Sequence, residues 1–428
     1  MKSPPRCATL WALLLALACP ACQGPSPTRG ASSGLARVDL TARPWFPPIV
    51  PQEGFSCAQQ VGLYYLLSAE RNRPRGPSAP REPLSPYQAY AILAESTVGG
   101  THLTDGWILA RETGVPLASD RPHGGRALMH GFAKYVRALH QRPADYEILP
   151  LRREADLVAV KDRLASGQLV ACTFQVRGAK VLPHPPDGRL VTAWGRLGPG
   201  HSMVYAGYDE AIGYDCNRDG RLTNDRDITG DGQVTLADHE KGAFLVVNPW
   251  GPRWGQGGKA WALWREHALN PWPPAGEVAT VRAAPETSPR LLLRLSLHLH
   301  ERRGLVLSAS DGTRHLEPLP FRSQSLPRSS PGSAGEAFGK MHRTGPKISS
   351  GPLANPSGGP LEMGLDVSAL RGPRFQLRLA TVGPPLLGTL QAASFVELDP
   401  SGRSLRETPV LGLPAALPAA GGTWSTTP

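Results

Sequence analysis

Charged residues make up only 19% of this 428-residue chain and aromatics only 7%. That composition excludes long coiled coils and charged helical bundles. Acidic residues are the minority, 35 against 46 Lys and Arg, for a formal net charge of +11. The excess is spread through Pro-rich loops, with no basic helix and no aromatic stacking stripe, so nucleic-acid binding is excluded. No apolar run approaches the ~20 residues that a membrane span needs. A disulfide framework is lacking as well: of six cysteines, Cys7, Cys19 and Cys22 crowd the first residues, leaving Cys57, Cys172 and Cys216. What is abundant is Gly (47) and Pro (45), around hydrophobic residues (40%) that come in short bursts. Loops joining β-rich or mixed units are expected, and the length predicts two domains at about 100–200 residues each.

Lys2 and Arg6 precede the apolar run Leu10 to Ala18, which reads as a signal peptide over residues 1–18. Ala16, Leu17 and Ala18 followed by Cys19 resemble the lipobox of bacterial lipoproteins, which makes Cys19 the lipidation candidate; plain secretion after an A-x-A cut is the alternative. Either way the protein is expected to be exported, to the bacterial cell envelope or beyond it. Residues 19–37, rich in Gly, Pro, Ser and Thr, read as a flexible tether.

From residue 38 to 274, helix signals at 57–70, 103–113 and 154–166 mix with strand runs at 169–176, 202–208 and 243–248, an α+β pattern. Beyond it the character changes. Leu293, Leu295, Leu297 and Leu299 alternate with polar residues, then Glu301 to Gly304 turn toward Leu305 and Leu307, which predicts a half-buried hairpin. Alternation recurs at Leu361 to Val367 and Phe375 to Leu379, around a low-complexity loop at 321–360. Residues 275–428 are therefore expected to form an all-β sandwich. His298 and His300, two apart beside Arg294 and Ser296, read as a solvated surface.

An exported chain with an odd number of thiols raises the question of which one is kept for chemistry. Cys57 stands where the Pro/Gly-rich stretch Pro48 to Ser56 turns into a helix, and a thiol there meets the positive helix end and its pKa is expected to fall. Gln52 can turn its amide toward the same point and, with the Cys57 N–H, supply two donors to an oxyanion. His201 opens a strand after Gly198-Pro-Gly, a place for a proton-transferring base. Asn248 ends the strand Ala243 to Val247 beside Trp250 and Trp254, where its amide can orient an imidazole while Trp250 shields that bond from water. Cys172 and Cys216 read as structural.

Gln52, Cys57, His201 and Asn248, in that order, together with Asn248-Pro-Trp-Gly251 and Trp254-Gly255, resemble the papain-like cysteine peptidases over about residues 38–270. The resemblance implies a papain-like two-subdomain fold, with a helical part bearing Cys57, a β-rich part bearing His201 and Asn248, and a cleft between. Leu84-Ser-Pro86 falls at the family's helix start. Gly99 and Gly100 fall where the family pairs with substrate backbone, and Trp250 joins them at the substrate. The implied activity is hydrolysis of a protein or peptide through a Cys-His-Asn triad by a monomer, with no cofactor for catalysis. Several positions depart from the pattern. The Gln52 to Cys57 spacing is one residue shorter, Ala58 replaces Trp, Pro249 replaces Ser, and the paired cysteine before the nucleophile is absent.

Residues 215–240 form an insertion between His201 and Asn248. Asp215, Asn217, Asp219, Gly220 and the Arg221 carbonyl occupy positions 1, 3, 5, 6 and 7 of a Ca²⁺ loop like those of dockerins and EF-hands. Asp227, Thr229, Asp231, Gly232, the Gln233 carbonyl and Asp238 at position 12 repeat it. Arg226 stands at position 12 of the first copy, so closure there is expected from Asp225 or Asp227. Carboxylates this dense repel one another without a cation, and Ca²⁺ in one or two sites is expected to stiffen the protein. Two rivals remain: a non-catalytic, calcium-dependent adhesion or carbohydrate-binding protein on the same scaffold, and a transglutaminase-like acyl transferase, whose third residue is normally Asp.

Overall fold

The helix that begins at Cys57 has an apolar middle, Val61 to Leu67, and is buried from Cys57 to Glu70, its Gln59, Gln60, Ser68 and Glu70 included. Its first turn is α1 (Cys57–Gln59), its middle a π-helix over Gln60–Leu67, and its end α2 (Ser68–Asn72). The Ser68 N–H donates to the Leu63 carbonyl, the five-residue step of a π-helix, and the Trp107 indole N–H donates to the Gly62 carbonyl from outside. Long π stretches are rare and concentrate at functional sites.

The computed structural model describes residues 34–76, 82–94, 100–120, 132–184, 188–195, 197–270, 276–285, 288–299, 305–316, 319–320, 359–372, 374–381, 388–417 and 421–426. The leader, Cys19 and most of the tether, Gly99, His300 and the loop 321–358 lie outside the described residues. Against the first helix stand α3 (Tyr87–Leu93) and α4 (Leu103–Thr113); α5 (Phe132–Ala138) packs on a C-terminal strand, and α6 (Glu154–Ala165) packs on the sheet. None of the described helices is long and apolar enough to cross a membrane.

The sheet beside these helices has nine strands among the described residues. They are β1 (Arg37–Asp39), β2 (Pro143–Pro150), β3 (Val170–Arg177), β4 (Lys180–Pro183), β5 (Arg189–Ala193), β6 (Leu197–Gly213), β7 (Lys241–Val247), β8 (Lys259–Leu263) and β9 (Glu277–Ala283). Their order is β2-β9-β3-β6-β7-β8-β5-β4, with β1 added along β6. The short helix α7 (Trp264–Ala268) follows β8 directly. Antiparallel pairing sets Phe174 opposite His201 and Val204 opposite Val247, so β6 runs through the middle of the sheet with its neighbours on both edges.

The remaining strands form two further sheets, as expected for an α+β unit followed by an all-β sandwich. One contains β10 (Leu291–Leu299), β13 (Gly359–Asp366), β15 (Gly388–Leu398), β16 (Ser404–Pro409) and β17 (Ala415–Ala416). The other contains β11 (Leu305–Ser310), β12 (Leu319–Pro320), β14 (Gln376–Thr381) and β18 (Gly421–Ser425). The expected hairpin of β10 and β11 does not form. Strand β10 pairs with β13 and β15, β11 with β12 and β14, and the two lie in opposite sheets. Both strands turn their leucines into one core, which crossing to the facing sheet achieves as well as a local turn does. His298 is exposed, as its neighbours on that face led one to expect. Strand β13 also packs on α4 and α5, and Arg142 pairs with Asp366 across that contact.

Candidate active site

Cys57 is the first residue of α1 and is 8% exposed. Its helix packs against β6, and the backbone N–H of Ser202 reaches its thiol. The nucleophile candidate therefore stands beside the residue that follows His201. The expected fall in its pKa is not found. Burial raises the thiol above its ordinary value, outweighing the N–H groups of Ser202, Ala58 and Cys57 that pull it down. Desolvation of the buried sulfur exceeds what these N–H groups return.

His201 is fully buried in β6. Trp250 lies in the turn just after β7, and its ring stacks on that of His201 at 4.7 Å between centroids and 30° between planes. His201 Nε2 and Asn248 Oδ1 are 2.8 Å apart. The same Oδ1 accepts the Trp250 backbone N–H at 3.0 Å. A backbone N–H can only donate, so the amide is oriented with its oxygen toward the ring and Nε2 carries the proton. In that tautomer Nδ1 is the ring's basic nitrogen.

Gln52 is brought to the same region through its backbone. Its N–H donates to the Pro249 carbonyl at 2.6 Å. Gly251 has φ +88°, and a Cβ there would meet Pro51 N at 2.8 Å, so the close approach of the Gln52 loop to the Asn248 loop requires glycine. The Gln52 side-chain NH₂ donates to the Gly54 carbonyl at 2.8 Å. An amide NH₂ has two hydrogens, and one of them here fixes its direction.

Sequence reasoning missed three residues around the thiol. The first is Ser202, whose main-chain N–H reaches the sulfur. The second is Tyr90 on α3, near Cys57, whose hydroxyl is pushed up to about 12, mainly by burial. The third is Gln59, two residues after Cys57, which donates to Thr101 Oγ1 and to the His102 carbonyl, each at 2.9 Å. That clamp ties α1 to the segment just after exposed Gly100. A Cβ on Gly106 would fall 1.7 Å from Gln59 Oε1, so Gly106→Ala must displace the clamp. It is expected to cost about 1–3 kcal/mol in urea unfolding; an unchanged midpoint would show that Gln59 yields freely. A main-chain donor has no sequence signature, and a lone Gln or Tyr carries none either.

The insertion between the His201 and Asn248 strands folds as two copies with matching hydrogen bonds. In the first, Asp215 accepts from the N–H groups of Arg218 and Gly220, Asn217 from Asp219 and Asp219 from Arg221. In the second, Asp227 accepts from Gly230 and Gly232, Thr229 Oγ1 donates to Asp227, and Asp231 accepts from Gln233. Asp238 Oδ1 takes the N–H groups of positions 2 and 3, Ile228 and Thr229, and Oδ2 takes that of position 9, Thr235. Burial raises the Asp238 pKa, but the Thr235 and Thr229 N–H groups outweigh it and hold the carboxyl at about 2.

The first copy has the same pattern, with a different carboxylate. Glu240 Oε1 takes the N–H groups of Cys216 and Asn217, and Oε2 takes that of Thr223. Glu240 therefore stands where Asp225 or Asp227 was expected. Arg226 at position 12 leaves the place open, and the fully buried Glu240 fills it from beyond the second copy. Among the described residues no three His, Cys, Asp or Glu side chains converge as a metal site; the loops mix carboxylates with Asn217, Thr229 and the carbonyls of Arg221 and Gln233.

No family model and no curated protein matches the chain. Among solved structures it is similar to xylellain, a cysteine protease from Xylella fastidiosa, at 17% identity over 58% of this chain and 87% of that one, with a TM-score of 0.38. It is also similar to digestive procathepsin L 3 of Tenebrio molitor larval midgut, at 15% identity over 59% and 72% of the two chains and a TM-score of 0.38. For the bromelain protease from Ananas comosus the values are 15% identity, 58% and 100% coverage and a TM-score of 0.37.

Proposed function

We propose that the chain is an exported papain-like cysteine endopeptidase that acts through Cys57, His201 and Asn248. The observation that carries the reading is the 2.8 Å His201–Asn248 bond under the Trp250 ring, with the Cys57 thiol against the next backbone N–H. A peptide carbonyl arriving at Cys57 finds a protonated thiol and a basic Nδ1. The thiol proton passes to His201, sulfur bonds to the carbonyl carbon, and the oxyanion takes the Cys57 N–H and the second hydrogen of the Gln52 amide. His201 returns the proton to the leaving amine as the C–N bond breaks. Water then cleaves the thioester, again through His201, and frees Cys57. Asn248 stabilises the imidazolium formed on the way and holds the ring in place.

Calcium belongs to the same proposal. Asp215, Asn217, Asp219 and the Arg221 carbonyl, closed by Glu240, form one site; Asp227, Thr229, Asp231 and the Gln233 carbonyl, closed by Asp238, form the other. Both lie in the connection between the strands that carry His201 and lead to Asn248. Export, the signal peptide over 1–18 and a lipid on Cys19 complete the reading, as do the divisions at 38–274 and 275–428.

Treatment of the full chain with a peptidyl epoxide is the direct test. One adduct, on Cys57 and competed by substrate peptides, is expected from mass analysis of the digest. Absence of label, or label on Cys172 or Cys216 instead, sinks the peptidase reading and leaves the adhesion one.

A further inference from the structure

The peptide that joins Gly54 to Phe55 is held from both sides. Its carbonyl, on Gly54, accepts one hydrogen of the Gln52 side-chain NH₂ at 2.8 Å, and its N–H, on Phe55, donates to the Tyr90 hydroxyl. A trans peptide is planar with its C=O and N–H pointing opposite ways, so a grip on one end sets the direction of the other. Hydrogen bonds in such a chain also polarise one another, and the engaged N–H makes the carbonyl a stronger acceptor. Gly54 has φ +58°, where glycine rests without strain and the chain can turn easily. An outside partner is therefore needed to fix this peptide.

Tyr90 is suited to that task. It lies in α3, is 1% exposed, and packs with Tyr87, Ala94 and half-buried Phe55 in an apolar cluster apart from the main core. Its ring is thus fixed, and burial keeps its hydroxyl neutral while Cys57 reacts nearby. A second tyrosine grips the same stretch further upstream: the Tyr64 hydroxyl donates to the Pro48 carbonyl at 2.8 Å. That bond precedes Gln52 and leaves the Gly54–Phe55 peptide untouched.

We infer that Tyr90 is a positioning residue: its hydroxyl holds the Gly54–Phe55 peptide, whose carbonyl holds the Gln52 amide, so that the second Gln52 hydrogen points where an oxyanion forms at the carbon attacked by Cys57. Tyr90 itself is too buried to touch a substrate and acts only through Gln52. The assignment rests on the peptidase reading.

Steady-state peptide hydrolysis and hydrogen exchange, both on the full chain in calcium, test it. Gln52→Ala is expected to lower kcat by about 10²–10³-fold, as loss of an oxyanion donor does. Tyr90→Phe, which keeps every ring contact, is expected to lower kcat by about tenfold with KM within about twofold of wild type, because the loss falls on the transition state. Added to Gln52→Ala, it is expected to change kcat by less than about twofold, since the group it acts through is already gone. Tyr64→Phe is expected to keep the wild-type kcat. In exchange, the Phe55 amide of wild type is expected to be protected on the order of 100-fold, and Tyr90→Phe to remove that protection. A merely structural tyrosine would give equal kcat losses in the two Phe variants, or a Tyr90→Phe loss that multiplies with that of Gln52→Ala; either result overturns the role, as does a Tyr90→Phe protein with wild-type kcat. An unprotected Phe55 amide in wild type overturns the bond itself, and reading it needs neither a folded variant nor activity. A protected amide in a wild type that cleaves no peptide and takes no epoxide on Cys57 overturns the role together with the peptidase reading, and leaves the bond.

Discussion

Cys57→Ala is expected to lower turnover of a mixed peptide library by about 10⁴-fold or more, the scale seen when a nucleophile is removed. Folding should change little, because a buried cysteine packs as a small apolar residue and alanine leaves a small gap. Asn248→Ala is expected to fall between wild type and that floor, at roughly 10²–10⁴-fold, since it removes the orienting acceptor and leaves the thiol and base in place. The two together separate chemistry from binding. A Cys57→Ala protein that hydrolyses peptides like wild type ends the cysteine-peptidase account. If neither protein turns over any peptide while both still bind a carbohydrate or surface in calcium, the adhesion reading takes its place.

Removal of calcium with EGTA is expected to lower Tm by on the order of 5–10 °C. A site held at 100 to 1,000 times its Kd adds about 2.7–4.1 kcal/mol to the folded state. The closing carboxylates predict which substitutions erase this response. Glu240→Gln should remove the calcium-induced Tm shift of the first loop and Asp238→Asn that of the second, whereas Asp225→Asn should leave both. The readout is the difference between calcium and EGTA, so a general loss of stability in the buried Glu240 variant does not imitate it. If Asp225→Asn erases the shift and Glu240→Gln keeps it, the closing assignment is wrong; if EGTA moves no variant, calcium is not bound.

Much of this site is legible in the amino-acid order because its parts sit at element boundaries. Cys57 begins a helix and Asn248 follows the last residue of a strand, whereas His201, expected to open a strand, lies inside β6, which already takes in Gly198-Pro-Gly200; the helix expected at 103–113 and the strands around residues 170, 205 and 245 stand where periodicity placed them. What could not be read are contacts that depend on desolvation or on distant chain. The thiol's raised pKa follows from how completely the surroundings close over it, which no spacing encodes. Glu240 closes a loop from outside the twelve-residue motif. The Leu293–Leu307 segment has the alternation of a hairpin, yet alternation says only which side of a strand is apolar and nothing of which neighbour it joins.

That β10 and β11 part company has a counterpart in how the last sheets meet the helices. Tyr135 of α5 lies with its Cβ 3.0 Å from where a side chain at Gly364 would begin, and Leu139, Leu292, Val396 and Leu398 form one apolar cluster with Phe132 and Val136. The C-terminal strands thus roof the helical half of the molecule. A graft that swapped them for an unrelated β module would have to bring a matching ceiling, or leave those aromatic rings in water.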